Sequence, residues 1–317
     1  MSKKLVISVL NCIISIMISQ AILGQEALPK APEIDAKSWI LIDANTGFVI
    51  TENNADIALP PASLVKMMTT YIASKQIRVG RLDKFENVTI SDNAWAKGGA
   101  KTDGSTMFLN PRSQVPIIDL IRGIIVQSGN DAAIALAEHI SGSEESFSVL
   151  MNQTAKDIGM SNTFFSNSTG LPADEMRSSA RDLSILARLI VQGDSDHYSI
   201  YSEKYFQHND INQPNRNRLL WRDSTVDGLK TGHTQAAGYC LVASAKRNDM
   251  RLISVVMGAP SAEIRARQSQ TLLSYGFRHF ITKKIYSAGD LVKENAKVWF
   301  GEENFVNLVV ADDITLT

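Results

Sequence analysis

The chain has 317 residues, of which 44% are hydrophobic and 21% charged, with a formal net charge of −1. That length holds one large core with room for part of a second domain, and the balanced charge leaves no electrostatic footprint for nucleic acid. P-loop, G-x-G-x-x-G, EF-hand and G-x-S-x-G patterns are absent, and His139, His197, His208, His233 and His279 are scattered without metal-ligand spacing, so neither cofactor nor metal is expected.

Lys3 and Lys4 precede an apolar run from Leu5 to about Ile18, followed by Ser19-Gln20-Ala21 and Gly24-Gln25. The pattern predicts a secretory signal over residues 1–24, cleaved after Ala21 or Gly24, because the run is short for a membrane span. Cys12 lies in this run behind Asn11, where lipid attachment would want a small residue. Cleavage leaves Cys240 as the only thiol, within Tyr239-Cys240-Leu241-Val242, which predicts a buried structural cysteine and no internal disulfide.

After a linker at Pro29 to Ile34, Ser38–Asp43 and Phe48–Thr51 read as strands joined at Asn45-Thr46-Gly47. Pro60-Pro61-Ala62 then opens a helix through Met67 to Ala73. Ser63 and Lys66 fall three apart, so a helix places them on one face, where burial favours a neutral amine able to take a proton from serine. Helical spacing also marks Ile117 to Gln127, Ala132 to Ile140, Glu145 to Ile158 and Ala180 to Gln192. Between the first two lies Ser128-Gly129-Asn130, a turn in which Ser128 and Asn130 can point the same way. Near residues 225–258 the pattern returns to strands. Lys230-Thr231-Gly232 leads into Tyr239 to Ala245, which faces Leu252 to Val256 across Arg247-Asn248-Asp249. A long helix follows from Ala262 to about Ile281, then a strand-like stretch from Lys284 to Thr317 that is too short for an independent sheet domain. Hairpins from both ends around a helical insert predict an α+β fold, an antiparallel sheet with helices on both faces.

Each motif alone is weak. Ser63-x-x-Lys66, Ser128-x-Asn130 and Lys230-Thr231-Gly232 in this order, spaced by roughly 65 and roughly 100 residues, form the set found in class A β-lactamases and penicillin-binding proteins. The chain closely resembles the D-alanyl-D-alanine carboxypeptidases among the low-molecular-mass penicillin-binding proteins. The resemblance runs through Ile40 to Asp43, Pro61 to Met68, Gln127 to Asp131, Asn215 to Asn217, Asp227 to Thr234 and Ala237 to Tyr239.

The resemblance implies a β-lactamase/transpeptidase-like serine peptidase domain over residues 25–283 and the beginning of a β-rich domain over 284–317. It implies that Ser63 attacks the penultimate D-alanine carbonyl of a peptidoglycan stem pentapeptide, giving an acyl-enzyme that water hydrolyses. Lys66 is then the general base, depressed by burial and by the second cation Lys230. Ser128 relays a proton to the departing D-alanine, Asn130 holds the substrate amide, and Lys230 and Thr231 of the Lys230-Thr231-Gly232 motif take the terminal carboxylate. Backbone N–H groups of Ser63 and His233 form the oxyanion hole. Arg265 occupies the place of a carboxylate-recognising arginine, against the alternative of a solvated helix arginine. β-Lactams are expected as covalent inhibitors.

Two rivals share the motifs. A class A-like β-lactamase wants a deacylating glutamate, and no Glu-x-x-x-Asn element lies between Ser128 and Lys230. A non-catalytic β-lactam sensor wants a transmembrane signalling segment. The expected location is the periplasm, with the outer face of the inner membrane a partner only if a C-terminal anchor lies beyond this sequence. The last residues end in a strand-like pattern, so the β-rich domain reads as incomplete and its final thirty or so residues as loosely held.

Overall fold

The computed structural model describes residues 29–100 and 104–317, so the predicted signal at 1–24 lies outside the described residues. Strands β1 (Ser38–Asp43) and β2 (Val49–Asn53) form the N-terminal hairpin. The remaining strands of the main sheet, β3 (Val226–Thr234), β4 (Gly238–Arg247) and β5 (Met250–Ala259), come from far along the chain. The order is β2-β1-β5-β4-β3, antiparallel throughout. Alternation explains why both faces are covered. Ile40, Ile42, Val242, Ile253 and Val255 enter one buried cluster, while their neighbours Trp39, Leu41, Leu241, Leu252 and Val256 enter the other.

The first face packs against the helical insert: α1 (Lys66–Arg78), α2 (Ile117–Arg122), α3 (Asn130–Ser141), α4 (Glu144–Asp157) and α5 (Ala180–Val191). The second face is covered by α6 (Ala262–His279) through Ala266, Leu272 and Leu273. Serine side chains start three of these helices: Ser143, Ser179 and Ser261 accept the N–H of the residue three ahead. Each such cap stabilises by about 1 kcal/mol.

The structure differs from the sequence reading at two places. Lys230-Thr231-Gly232 is the middle of a nine-residue edge strand and no mere approach to the next one. Gly228 and Gly232 interrupt the apolar alternation there, and pairing with β4 supplies the order that local sequence lacks. The C-terminal segment also has strand pairing and tethers that its sequence does not announce. It folds into two ribbons, β6 (Lys283–Tyr286) with β9 (Ile314–Leu316), and β7 (Leu291–Lys297) with β8 (Phe305–Val309). Thr317 Oγ1 donates to Asp43 Oδ2 at 2.8 Å, and Thr282 Oγ1 donates to the same oxygen. The Asp43 carboxylate, fully buried at the β1–β2 turn, thus ties the chain's last residue to the main sheet.

Candidate active site

The nucleophile candidate sits at the seam between sheet and helices. Ala62–Val65 is a 3-10 turn that runs into α1, so Ser63 precedes the α-helix and Lys66 is its first residue. In a 3-10 turn residues three apart eclipse one another. Lys66 Nζ accordingly lies 3.2 Å from Ser63 Oγ. Ala62 adopts φ 49°, in the left-handed region, which offers the next residue to the cleft.

Two glycines let neighbouring segments approach this turn. A Cβ on Gly232 would lie 3.0 Å from Pro61 O and 3.2 Å from Ala62 Cβ, a tight fit in which the Ser63 turn would have to give by a few tenths of an ångström. Gly170, at φ +80°, would put a Cβ 2.0 Å from Ala62 O. Gly170 is glycine because backbone lies where its side chain would go.

Lys66 is almost wholly buried, with 1% of its surface exposed. Its Nζ donates to Asn130 Oδ1 at 2.7 Å and to the Thr169 carbonyl at 2.6 Å, besides the longer contact to Ser63. Burial pushes its pKa down to about 7; Asp131 opposes that shift and Arg216 adds to it. The sequence reading names burial and Lys230 as the causes: burial is the largest, the two buried lysines repel one another, and Arg216 adds to the depression of both. Lys230 is itself held well below its ordinary value by burial and then by Lys66, Arg216 and Arg265.

A neutral amine carries two hydrogens and one lone pair. The two short bonds go to oxygens that can only accept, so the third direction, toward Ser63, is where the lone pair falls when Lys66 is uncharged. The arrangement can therefore remove the Ser63 proton without moving Lys66. Asn130 has its carbonyl engaged by Lys66, which leaves its amide nitrogen for a ligand.

Ser128 ends the helical run from Ile117 at φ 64°, and its Oγ accepts from Lys230 Nζ at 2.9 Å. Lys230 Nζ also donates to the Thr231 carbonyl at 3.0 Å. Ser63, Ser128, Asn130, Thr231, Gly232, His233 and Arg265 all line one cleft of about 630 Å³. Among the described residues no aspartate or glutamate lines it. A larger depression, about 800 Å³, lies beside the far end of α1 and contains none of the motif residues, so we attach no chemistry to it.

His233 is exposed and stacks on Tyr239 with ring centroids 3.9 Å apart. Arg265 is not a solvated helix arginine. It is buried, its Nη1 donates to Gly232 O at 2.9 Å and Cys240 O at 3.3 Å, and its guanidinium lies 5.6 Å from the Tyr239 ring. Burial lowers its pKa to about 10. Cys240 is a buried free thiol pushed up to about 11 by its apolar surroundings, far from a reactive thiolate.

Sequence reasoning missed Thr169, whose contribution is a backbone carbonyl and so leaves no residue signature. It also gave no role to Arg216, whose Nε donates to the Gln127 carbonyl at 3.1 Å, or to Asp131 next to the middle motif. Asp131 accepts from the N–H groups of Met107 and Leu109 and from Thr106 Oγ1, fastening the cleft's rim to α3.

The chain is similar to known proteins over most of its length. Residues 25–261 match the D-alanyl-D-alanine carboxypeptidase family, and residues 280–317 match the penicillin-binding protein 5 C-terminal domain. The D-alanyl-D-alanine carboxypeptidase DacC of Escherichia coli is 47% identical over 285 residues, covering 89% of this chain and 71% of the relative. Penicillin-binding protein 5 from Haemophilus influenzae superposes with a TM-score of 0.87 at 44% identity, over 90% of this chain and 83% of that one. Penicillin-binding protein D2 from Listeria monocytogenes, in its ampicillin-bound form, superposes with a TM-score of 0.70 at 28% identity, over 78% and 99%.

Proposed function

The chain belongs to the D-alanyl-D-alanine carboxypeptidase family and is a serine hydrolase of that type, and from this premise we propose how its residues share the reaction. Neutral Lys66 takes the Ser63 proton as Oγ bonds to the carbonyl carbon of the penultimate D-alanine. Ser63 and His233 backbone N–H groups receive the oxyanion, where preorganised donors contribute most to acyl transfer. The C–N bond then breaks as the proton held by Lys66 passes through Ser128 to the departing amine. D-Alanine leaves, and water cleaves the Ser63 ester.

Asn130 holds the substrate amide through its unengaged nitrogen. Lys230 and Thr231 take the terminal carboxylate, an anion that offsets the cost of holding the Lys230 ammonium buried beside other cations. Arg265 supports this subsite from behind by fixing the Gly232 and Cys240 carbonyls. β-Lactams acylate the same Ser63. The carrying observation is Lys66 buried between Ser63, Asn130 and the Thr169 carbonyl.

The catalytic domain spans residues 25–283 and the β-rich domain begins at 284, a division supported by the two matched ranges. The Lys3-Lys4 start and the apolar run after it support export to the periplasm, where the stem pentapeptide lies. The deciding experiment incubates the protein with an acyl-L-Lys-D-Ala-D-Ala peptide and, separately, with a penicillin. Release of D-alanine with slow penicillin turnover supports the carboxypeptidase. Fast penicillin hydrolysis without D-alanine would make it a β-lactamase, and labelling with neither turnover a sensor.

A further inference from the structure

One of the two short hydrogen bonds on Lys66 comes from a loop that carries no motif. Residues 166–171 lie against the Ser63 turn and bring the Thr169 carbonyl to 2.6 Å from Nζ. This loop is wired from three sides. Asn167 Oδ1 accepts from the N–H groups of Thr169 at 3.1 Å and Gly170 at 2.8 Å. Thr69 Oγ1, on α1 beyond Lys66, donates to the Ser168 carbonyl at 2.7 Å. Glu144, the first residue of α4, accepts through Oε1 both the Ser168 N–H at 3.0 Å and the Ser168 hydroxyl at 2.6 Å.

We propose that Glu144 is a positioning residue for the general base: it pins Ser168 so that the adjacent Thr169 carbonyl stays on Lys66 Nζ. The inference rests on Lys66 acting as base. Without the Thr169 contact one hydrogen of the neutral amine loses its fixed acceptor, and its lone pair is no longer held toward Ser63. Glu144 has a second effect through its charge. The groups facing Lys66 are Asp131 from α3 and Glu144 from α4, which retain its proton, and Arg216 and Lys230 from β3 and the segment before it, which expel it. Removing the Glu144 charge while keeping its hydrogen bonds should make Lys66 a base at lower pH.

The two effects separate in two variants of the full chain. Glu144→Gln keeps an oxygen for Ser168 and loses the charge; Glu144→Ala loses both. The readout is the acylation rate with a fluorescent penicillin from about pH 5 to about pH 9, with thermal melting to establish folding. Glu144→Gln should keep the alkaline plateau and move the acid limb down by roughly half a pH unit. Glu144→Ala should share that shift and lose roughly tenfold on the plateau. A folded Glu144→Ala with the wild-type plateau, or a Glu144→Gln with an unmoved acid limb, overturns the proposal. Because acylation needs no peptide, failure to release D-alanine would refute the peptidase reading and leave this test intact.

Discussion

Lys66 and Ser63 show how a weak pattern becomes chemistry. Three-residue spacing is common on helices, but here a 3-10 turn narrows the gap and burial strips the lysine of solvent. With the pKa pushed down to about 7, the base is an ammonium below that pH and a free amine above it. Acylation should therefore fall about tenfold per pH unit below neutrality and level off on the alkaline side. Stopped-flow acylation by a fluorescent penicillin across the range checks this, and a rate that does not change between acid and neutral pH contradicts the role. Ser63→Ala should abolish covalent labelling and cut D-alanine release by about 10⁴-fold or more, because one oxygen performs both attacks. Labelling that survives in a gel assay would remove Ser63 as nucleophile. At this scale the motif residues were legible in the sequence because their side chains act. The Thr169 carbonyl and the Arg216 contribution were not: one is backbone, and the other is an arginine in a loop whose neighbours only folding supplies.

At the scale of elements, strand alternation and helical spacing of apolar residues announced most of the fold. The β1–β2 and β4–β5 hairpins and the helices α2 to α6 fall within a few residues of where apolar spacing placed them. Strand β3 was read only in part, since its glycines and its buried Lys230 break the period that marks a strand. Those glycines have a reason beyond the strand itself. The Ser63 turn is clasped between β3 and the 166–171 loop, with Gly232 on one side and Gly170 on the other. Gly170→Ala adds left-handed strain and forces a methyl group onto the Ala62 carbonyl. We expect a stability loss of about 2–4 kcal/mol in urea unfolding and an acylation defect in the fraction that folds. Wild-type stability in that variant would show that the loop does not press on the turn.

The molecule as a whole joins a buried core to a more exposed C-terminal ribbon. Both faces of the main sheet are covered, whereas the β7–β8 ribbon leaves Leu291, Val292, Trp299, Phe300, Phe305, Leu308 and Val309 exposed. Two-stranded ribbons are marginal on their own, so this part depends on its attachment and contributes little to the rest. Its described link to the main sheet is the Asp43 carboxylate, which takes Thr282 and Thr317, together with the Thr46–Thr317 hydroxyl pair. The cleft lies elsewhere, and its lining residues all precede residue 266. Deleting residues 283–317 should therefore leave penicillin acylation and D-alanine release within about twofold of the full chain. Thr282 stays on Asp43 and water reaches the oxygen that Thr317 vacates, so the stability cost should be about 1 kcal/mol, a fall in Tm of about 2–4 °C. The shortened protein should also aggregate less on concentration, since many exposed apolar side chains leave with the ribbons. Light scattering against concentration, run beside the acylation assay, decides it: a large loss of activity in a folded, monodisperse deletion would mean that the ribbons reach the cleft's geometry through β1 and the sheet.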